Sequence, residues 1–367
     1  MRSIRTAALL AAGTTLITST VVLAASPASA VAGCPTADGA SHCYARGAFG
    51  PLAGQGPVWM DAIGTDLEVD CLSVGNRSTD FADYEMWMTT NNNYDAYDFW
   101  VEEGMTAGTL YAAPGAPQGF VWYWADSRPN GGGYNEHYVR DASTGNYTNV
   151  SFYFVQGTGD WNVFLGGSQI GTSAGVGAYA GSAANGVEVT TRDTTIVGNS
   201  ANWQYRQNNV WNWAPAAWQN TSGNLLSGWT NGPSVHAQTN SCSSHNLAPQ
   251  SAPAPQAATP QRLSEIATQF AALAGDTHAT NRRYVKTTRK AANALNGAQV
   301  AADGQSYLIQ LDGKFTVPSA KTPKGQNAPT GTELSITVDA ATGRVTDWGV
   351  SASSSGLEKL GAVSQLG

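Results

Sequence analysis

Between residues 50 and 245 no stretch keeps a helical apolar period. Short runs rich in Tyr, Trp, Val, Phe and Thr recur instead, about every 8–12 residues, between Gly/Asn/Asp/Ser turns. The runs are 84–89, 99–104, 120–124, 134–140, 150–155, 161–165 and 187–191, and turn signals such as Asn91-Asn92-Asn93, Pro129-Asn130-Gly131 and Gly157-Thr158-Gly159-Asp160 divide them. Strands this short bury their apolar sides only by pairing into sheets that pack face to face. The pattern therefore predicts a mostly β chain built around one large double-sheet jelly roll or β-sandwich.

The composition changes near residue 247. Residues 31–246 hold 18 acidic residues against six arginines and no lysine, a net of −12, with eleven of the twelve tryptophans. Residues 247–367 hold eight acidic and eleven basic residues, a net of +3. The break predicts a β-sandwich domain over 31–246, a Pro/Ala/Gln-rich extended linker over 247–259 and a small α+β domain over 260–367. In that last part Thr259 is placed to cap a helix with Pro260 at its first position, Gly275 past its end, and Leu263, Ile266, Phe270 and Leu273 as its apolar stripe. Strands follow at 307–311 and 314–317, and then a hairpin, 334–338 and 344–350, around a turn at 339–343. That hairpin is similar to those of PepSY-like modules. The opposite charges favour docking of the basic tail on the acidic body, where it would cover a groove.

Residues 1–30 read as a secretory signal. Arg2 and Arg5 precede an apolar stretch over 7–24 and a small-residue cleavage site at Ala28-Ser29-Ala30. No later run approaches the ~20 apolar residues of a spanning helix, so a secreted, extracellular protein with no membrane partner is expected. In such a chain Cys34, Cys43, Cys71 and Cys242 predict two disulfides. Three pairings are open; Cys34–Cys43 with Cys71–Cys242 is the most economical. The body lacks the Lys/Arg clusters that nucleic acid requires. Five scattered histidines have no metal-ligand spacing, so neither a metal nor a cofactor is expected. Asp80, Asp83 and Glu85 near Asn76 read as a solvated acidic turn rather than a calcium loop, and His137 reads as a structural histidine.

Chemistry is carried by two glutamates in aromatic, glycine-flanked strands: Glu102 in Phe99-Trp100-Val101-Glu102-Glu103-Gly104, and Glu188 in Gly186-Val187-Glu188-Val189. A carboxylate on a strand face among tryptophans is costly to ionise. Two such groups in one groove would let one act as base while the other holds a proton. Alternation puts Glu102 on the side of Trp100 and sends Glu103 to the other side, so only one of the adjacent pair faces the groove. In the next strand Phe120, Trp122 and Trp124 share a side.

Taken together, these motifs resemble the neprosin family of glutamic peptidases and, more distantly, the eqolisins. Glu102-Glu103-Gly104, Tyr123-Trp124-Ala125-Asp126, Gly132-Gly133-Tyr134-Asn135, Gly159-Asp160-Trp161-Asn162, Ile170-Gly171 and Gly186-Val187-Glu188-Val189 follow the family's order across residues 99–190. The resemblance implies a jelly roll whose concave groove holds Glu102 and Glu188 as the catalytic pair. Trp100, Trp122, Trp124, Tyr134 and Asn135 would then contact a polypeptide substrate. This chain departs from the family at Gly133, where a cysteine is usual, and at Thr172-Ser173, where aromatic residues are usual. The rival expectation is a tryptophan-rich jelly roll that binds or hydrolyses polysaccharide, since flat aromatic faces suit sugar rings and paired carboxylates suit glycoside hydrolysis equally well.

Overall fold

The computed structural model describes residues 42–56, 58–74, 77, 80–90, 99–108, 119–128, 133–173, 179–190, 194–220, 226–239, 256–318, 320, 328–352 and 356–367. Residues 1–30, expected to be a secretory signal, Cys34, Cys242 and most of the expected Pro-rich linker lie outside these residues. Cys43 and Cys71 are both disulfide-bonded.

The body runs through β1 (Cys43–Phe49), β2 (Ala62–Ser73), β3 (Phe81–Thr89), β4 (Trp100–Gly108), β5 (Val121–Arg128), β6 (Gly133–Asp141), β7 (Thr148–Val155) and β8 (Asp160–Leu165). It continues through β9 (Ser168–Ser173), β10 (Ser182–Val189), β11 (Thr195–Gln207), β12 (Val210–Trp213), β13 (Ala217–Asn220), β14 (Ser227–Asn231) and β15 (Ser234–Gln238). The C-terminal segment adds α1 (Pro260–Leu273), β16 (Thr280–Thr288), α2 (Arg289–Leu295), β17 (Ala298–Val300), β18 (Gln305–Thr316), β19 (Thr330–Asp339), β20 (Val345–Ser351) and β21 (Val363–Gln365).

Among the described residues two antiparallel sheets form a β-sandwich. The larger has twelve strands in the order β13-β1-β10-β3-β4-β5-β6-β20-β19-β18-β16-β21, and the smaller has nine, β14-β15-β11-β2-β7-β8-β9-β17 with β12 on β11. Period-2 alternation sorts the side chains. On β4, Val101, Met105 and Ala107 enter the core between the sheets, whereas Trp100 joins a second apolar cluster on the opposite face. Trp124, Trp161 and Trp203 are buried in the inter-sheet core. Burying a large side chain of this kind contributes about 1.5–3 kcal/mol, which makes these rings the main anchors of the sandwich.

The C-terminal segment extends both layers. β20 pairs with β6, matching Trp348 with Glu136 and Asp347 with His137, and β17 pairs with β9. Helix α1 begins as its cap residue requires: the Thr259 hydroxyl accepts from the Arg262 N–H, and Pro260 occupies the first turn. Its stripe of Leu263, Ile266 and Phe270 packs with Leu311, Ile336 and Trp348 and with Trp100, Tyr123 and Tyr134 of the body. The two strands expected at 307–311 and 314–317 are one, β18, which passes through a register shift between Asp312 and Phe315. Such a bulge interrupts the alternation without ending the strand.

Candidate functional site

β3 reads Phe81-Ala82-Asp83-Tyr84-Glu85-Met86-Trp87-Met88, and its even-numbered residues Ala82, Tyr84, Met86 and Met88 face the inter-sheet core. Asp83 and Glu85 therefore project from the opposite face. Register carries β10 and β4 alongside: Glu188 lies opposite Asp83, Gly186 and Gly104 flank Glu85, and Glu102 lies opposite Trp87. All four carboxyl groups are buried on one sheet face. Oxygens of Asp83, Glu85 and Glu188 lie within 4.8 Å of one another. The solvated acidic turn expected here is thus corrected for Asp83 and Glu85, which sit inside a buried strand.

The glycine of the first sequence motif makes room for Glu85, and that of the second makes room for Arg46 on β1. A Cβ on Gly104 would stand 2.4 Å from the Tyr84 carbonyl oxygen and 2.7 Å from Glu85 Cα, and one on Gly186 would stand 2.3 Å from the Ala45 carbonyl oxygen. Both collisions are with backbone, which cannot swing aside. Tyr123, beside Gly104, donates its hydroxyl to Glu85 Oε2 at 2.6 Å. Burial, followed by the charges of Glu102, Glu85 and Asp83, holds that phenol well above its usual range, so it remains a proton donor. Tyr123 thereby attaches to the Asp83–Glu85–Glu188 cluster, with the Glu102 charge also acting on it.

At the other end stands His42, whose Nδ1 contacts Glu188 Oε1. Its Nε2 lies 2.8 Å from the Pro318 carbonyl oxygen in the C-terminal segment. A carbonyl only accepts, so in this contact Nε2 is the donor. The same segment packs Val317 and Ala320 into the cluster containing Trp100, Tyr123 and Tyr134. Arg46 also lies on this face, 5.0 Å from the centroid of the Trp87 ring.

Of the expected substrate contacts, Trp100 and Tyr134 border the acidic face, with ring centroids 6.4 Å apart. Trp122, Trp124 and Asn135 do not. Alternation sends both tryptophans into the inter-sheet core, where Trp124 stacks on His137 at 3.9 Å. Asn135 donates to Asp126 Oδ1 at 3.1 Å. Asp126 also accepts from Ser173 at 2.5 Å and from Arg128 at 2.8 Å, which ties the two sheets together. Burial opposes its ionisation, but the Arg128 and His137 charges together with the Ser173 and Arg128 hydrogen bonds outweigh that and keep the Asp126 carboxyl below its ordinary range.

Glu103 points away from the site, as alternation expects. Burial pushes its carboxyl well above the usual range, with the Ser151 N–H partly offsetting this. A carboxyl raised in the folded state stabilises fully below its unfolded value, about 4.3, and loses that contribution as pH rises. Glu103→Gln is therefore expected to raise the melting temperature at pH 8 and change it little at pH 3.5. An equal difference at both values would show that ionisation is not the cause.

Sequence reading missed Asp83, Glu85, Tyr123 and His42. The signal for the first two was present: an acidic residue at every second position of an otherwise apolar and aromatic strand, the same pattern that marked Glu102.

No protein-family model matches the chain, and no curated protein matches it. Among solved structures it is similar to Scytalido-glutamic peptidase with a peptide-based transition-state analogue, at 9% identity and a TM-score of 0.40 over 55% of this chain and 100% of that one. It is also similar to SCP-B, a member of the eqolisin family of peptidases bound to the tripeptide Ala-Ile-His, at 9% identity and a TM-score of 0.36 over 55% of this chain and 100% of that one.

Proposed function

We propose that this chain is a secreted, acid-acting endopeptidase of glutamic type, held latent by its own C-terminal segment. The observation that carries the reading is the convergence of Asp83, Glu85, Glu102 and Glu188 on one buried sheet face around the Tyr123 hydroxyl. Like charges repel most strongly where oxygens lie within 4.8 Å, as those of Asp83, Glu85 and Glu188 do, so this geometry favours an acid beside a base over three ionised carboxylates. The ionised member would activate a water for attack on a peptide carbonyl. The protonated member, assisted by Tyr123, would donate to the carbonyl oxygen or to the departing amine. The motif order shared with neprosin-type domains favours a peptide over a sugar as substrate.

Latency follows from access. Glu102 and Asp83 are 0% exposed and Glu188 1%, beneath a cover that includes Pro318 and its neighbours. A polypeptide cannot reach the carboxyls until that cover moves. The test is cleavage of a denatured protein mixture across pH 2–7, by the intact chain and by chain nicked within residues 240–255. Acid cleavage that appears or rises after nicking supports the reading, while no cleavage by either form at any pH overturns it. Oxygen donors so close would also suit a hard divalent cation; proton sharing predicts that a chelator leaves the activity unchanged.

A further inference from the structure

A second surface lies on the far side of the molecule, on the outer face of the smaller sheet. Register aligns one row there: Trp211 opposite Arg206, Arg206 opposite Ala62, Ala62 opposite Tyr153, Tyr153 opposite Asn162, Asn162 opposite Thr172, and Thr172 opposite Gln299. At about 4.8 Å per strand the row is roughly 30 Å long. Its first half is aromatic. Trp211 is 41% exposed and meets Tyr153 edge-on at 6.1 Å, Trp213 in the adjoining row is 57% exposed, and the Ala62 and Gly64 positions form a floor between these rings and Phe164. The second half carries amides and opens into a cavity of about 520 Å³, bounded by Gln169, Thr172, Gln299 and Lys290 and by the apolar Ala294 and Val300. Beside it Thr172 and Gln169 both donate to Asn162 Oδ1, at 2.9 and 3.2 Å, which fixes the Asn162 amide with no partner for its N–H groups among the described residues.

We infer that this row binds a neutral polysaccharide chain, with sugar rings stacked on Trp211 and Trp213 and the chain end hydrogen-bonded in the amide cavity. Exposed rigid rings followed by planar amides match the two surfaces of a sugar, its C–H face and its hydroxyl edge. Charge selects the ligand further. Arg206 is neutralised by Asp61 at 2.8 Å, and the neighbouring positions on β2 are Asp66, Glu68 and Asp70, which repel nucleic acid, acidic glycans and anionic lipid. The inference does not depend on the peptidase reading, because none of these residues borders the acidic face.

The test is retention of the purified full chain on insoluble cellulose, chitin, xylan and β-1,3-glucan, with immobilised casein as a peptide control. Retention is expected on at least one polysaccharide and not on casein. Trp211→Ala and Gln299→Ala are each expected to weaken it about tenfold, in keeping with loss of a central contact. Trp229→Ala removes an equally exposed ring outside the row, 50% exposed and stacked on His236, and is expected to leave retention unchanged. Melting temperatures of the variants establish that each is folded. No retention on any of the four, equal losses from all three variants, or tighter binding to casein would each overturn the inference.

Discussion

Glu188→Gln is expected to lower acid peptidase activity of the opened enzyme by about 10²–10⁴-fold, the usual worth of a positioned acid or base. Glutamine keeps the shape of the side chain but cannot exchange a proton, so a folded and inactive protein is the expected product. Glu85→Gln and Glu102→Gln are expected to fall in the same range. Their effects should not add to that of Glu188→Gln, because groups that share protons act as a unit. Glu103→Gln supplies the control: it is equally buried and adjacent in sequence, but on the opposite face. Rates on a denatured protein substrate at each variant's best pH decide the matter. If Glu103→Gln is as damaging as Glu188→Gln, the loss reflects packing and not chemistry. If Glu85→Gln retains full activity while Glu102→Gln does not, the working pair is the one the sequence motifs marked, and the 4.8 Å cluster around Glu188 is structural.

Asp347→Ala is expected to destabilise the protein by about 3–5 kcal/mol, the cost of leaving a buried cation without its partner. Arg289 meets Asp347 through two bonds of 2.9 Å, and Asp347 also meets His137 Nδ1 at 2.9 Å. Arg289 donates further to the Tyr138 carbonyl oxygen at 2.6 Å. These contacts fasten the C-terminal segment to β6. Burial opposes ionisation of Asp347, but the charges and hydrogen bonds of Arg289 and His137 together outweigh it and hold the carboxyl far below its ordinary range. A depressed carboxyl stabilises above its unfolded value, about 3.9, and that contribution is lost as pH falls below it. The urea midpoint difference between wild type and Asp347→Ala should therefore be large at pH 7 and shrink towards pH 2. Replacing both partners with apolar residues, as in Arg289→Met with Asp347→Leu, should cost much less than either single change. A constant difference across pH would place the loss in packing.

The two effects both bear on the proposed latency. Conditions that loosen the His137–Asp347–Arg289 contact weaken the attachment of the segment whose Pro318 carbonyl holds His42 against Glu188. Acid pH thus acts on the cover and on the carboxyl cluster in the same direction.

The β-sandwich class and most strand positions were legible in the sequence, because alternation and turn chemistry are local. The same period placed Glu102 with Trp100 and turned Glu103 away, and the Thr259–Pro260 start of α1 was written in its capping residues. Single residues mark where legibility stops. Glu85 carried the same acidic-in-aromatic signature as Glu102, but it lay beside Asp80 and Asp83 in a stretch that also reads as an acidic turn. Trp122 and Trp124 were rightly placed together on one side, yet alternation alone does not say which side faces a groove and which a core.

Sequence alone thus determined the periodicity, the faces and the helix cap, all properties of residues a few positions apart. Tertiary structure decided the rest: that Glu188 falls beside Asp83 and Glu85, that Gly104 makes room for Glu85 and Gly186 for Arg46, and that β17 and β20 extend the two sheets of the body. The physical reason is register. Alternation repeats every two residues and is indifferent to which partner lies alongside, whereas the pairing of strands a hundred residues apart is chosen by the packing of both sheet faces at once.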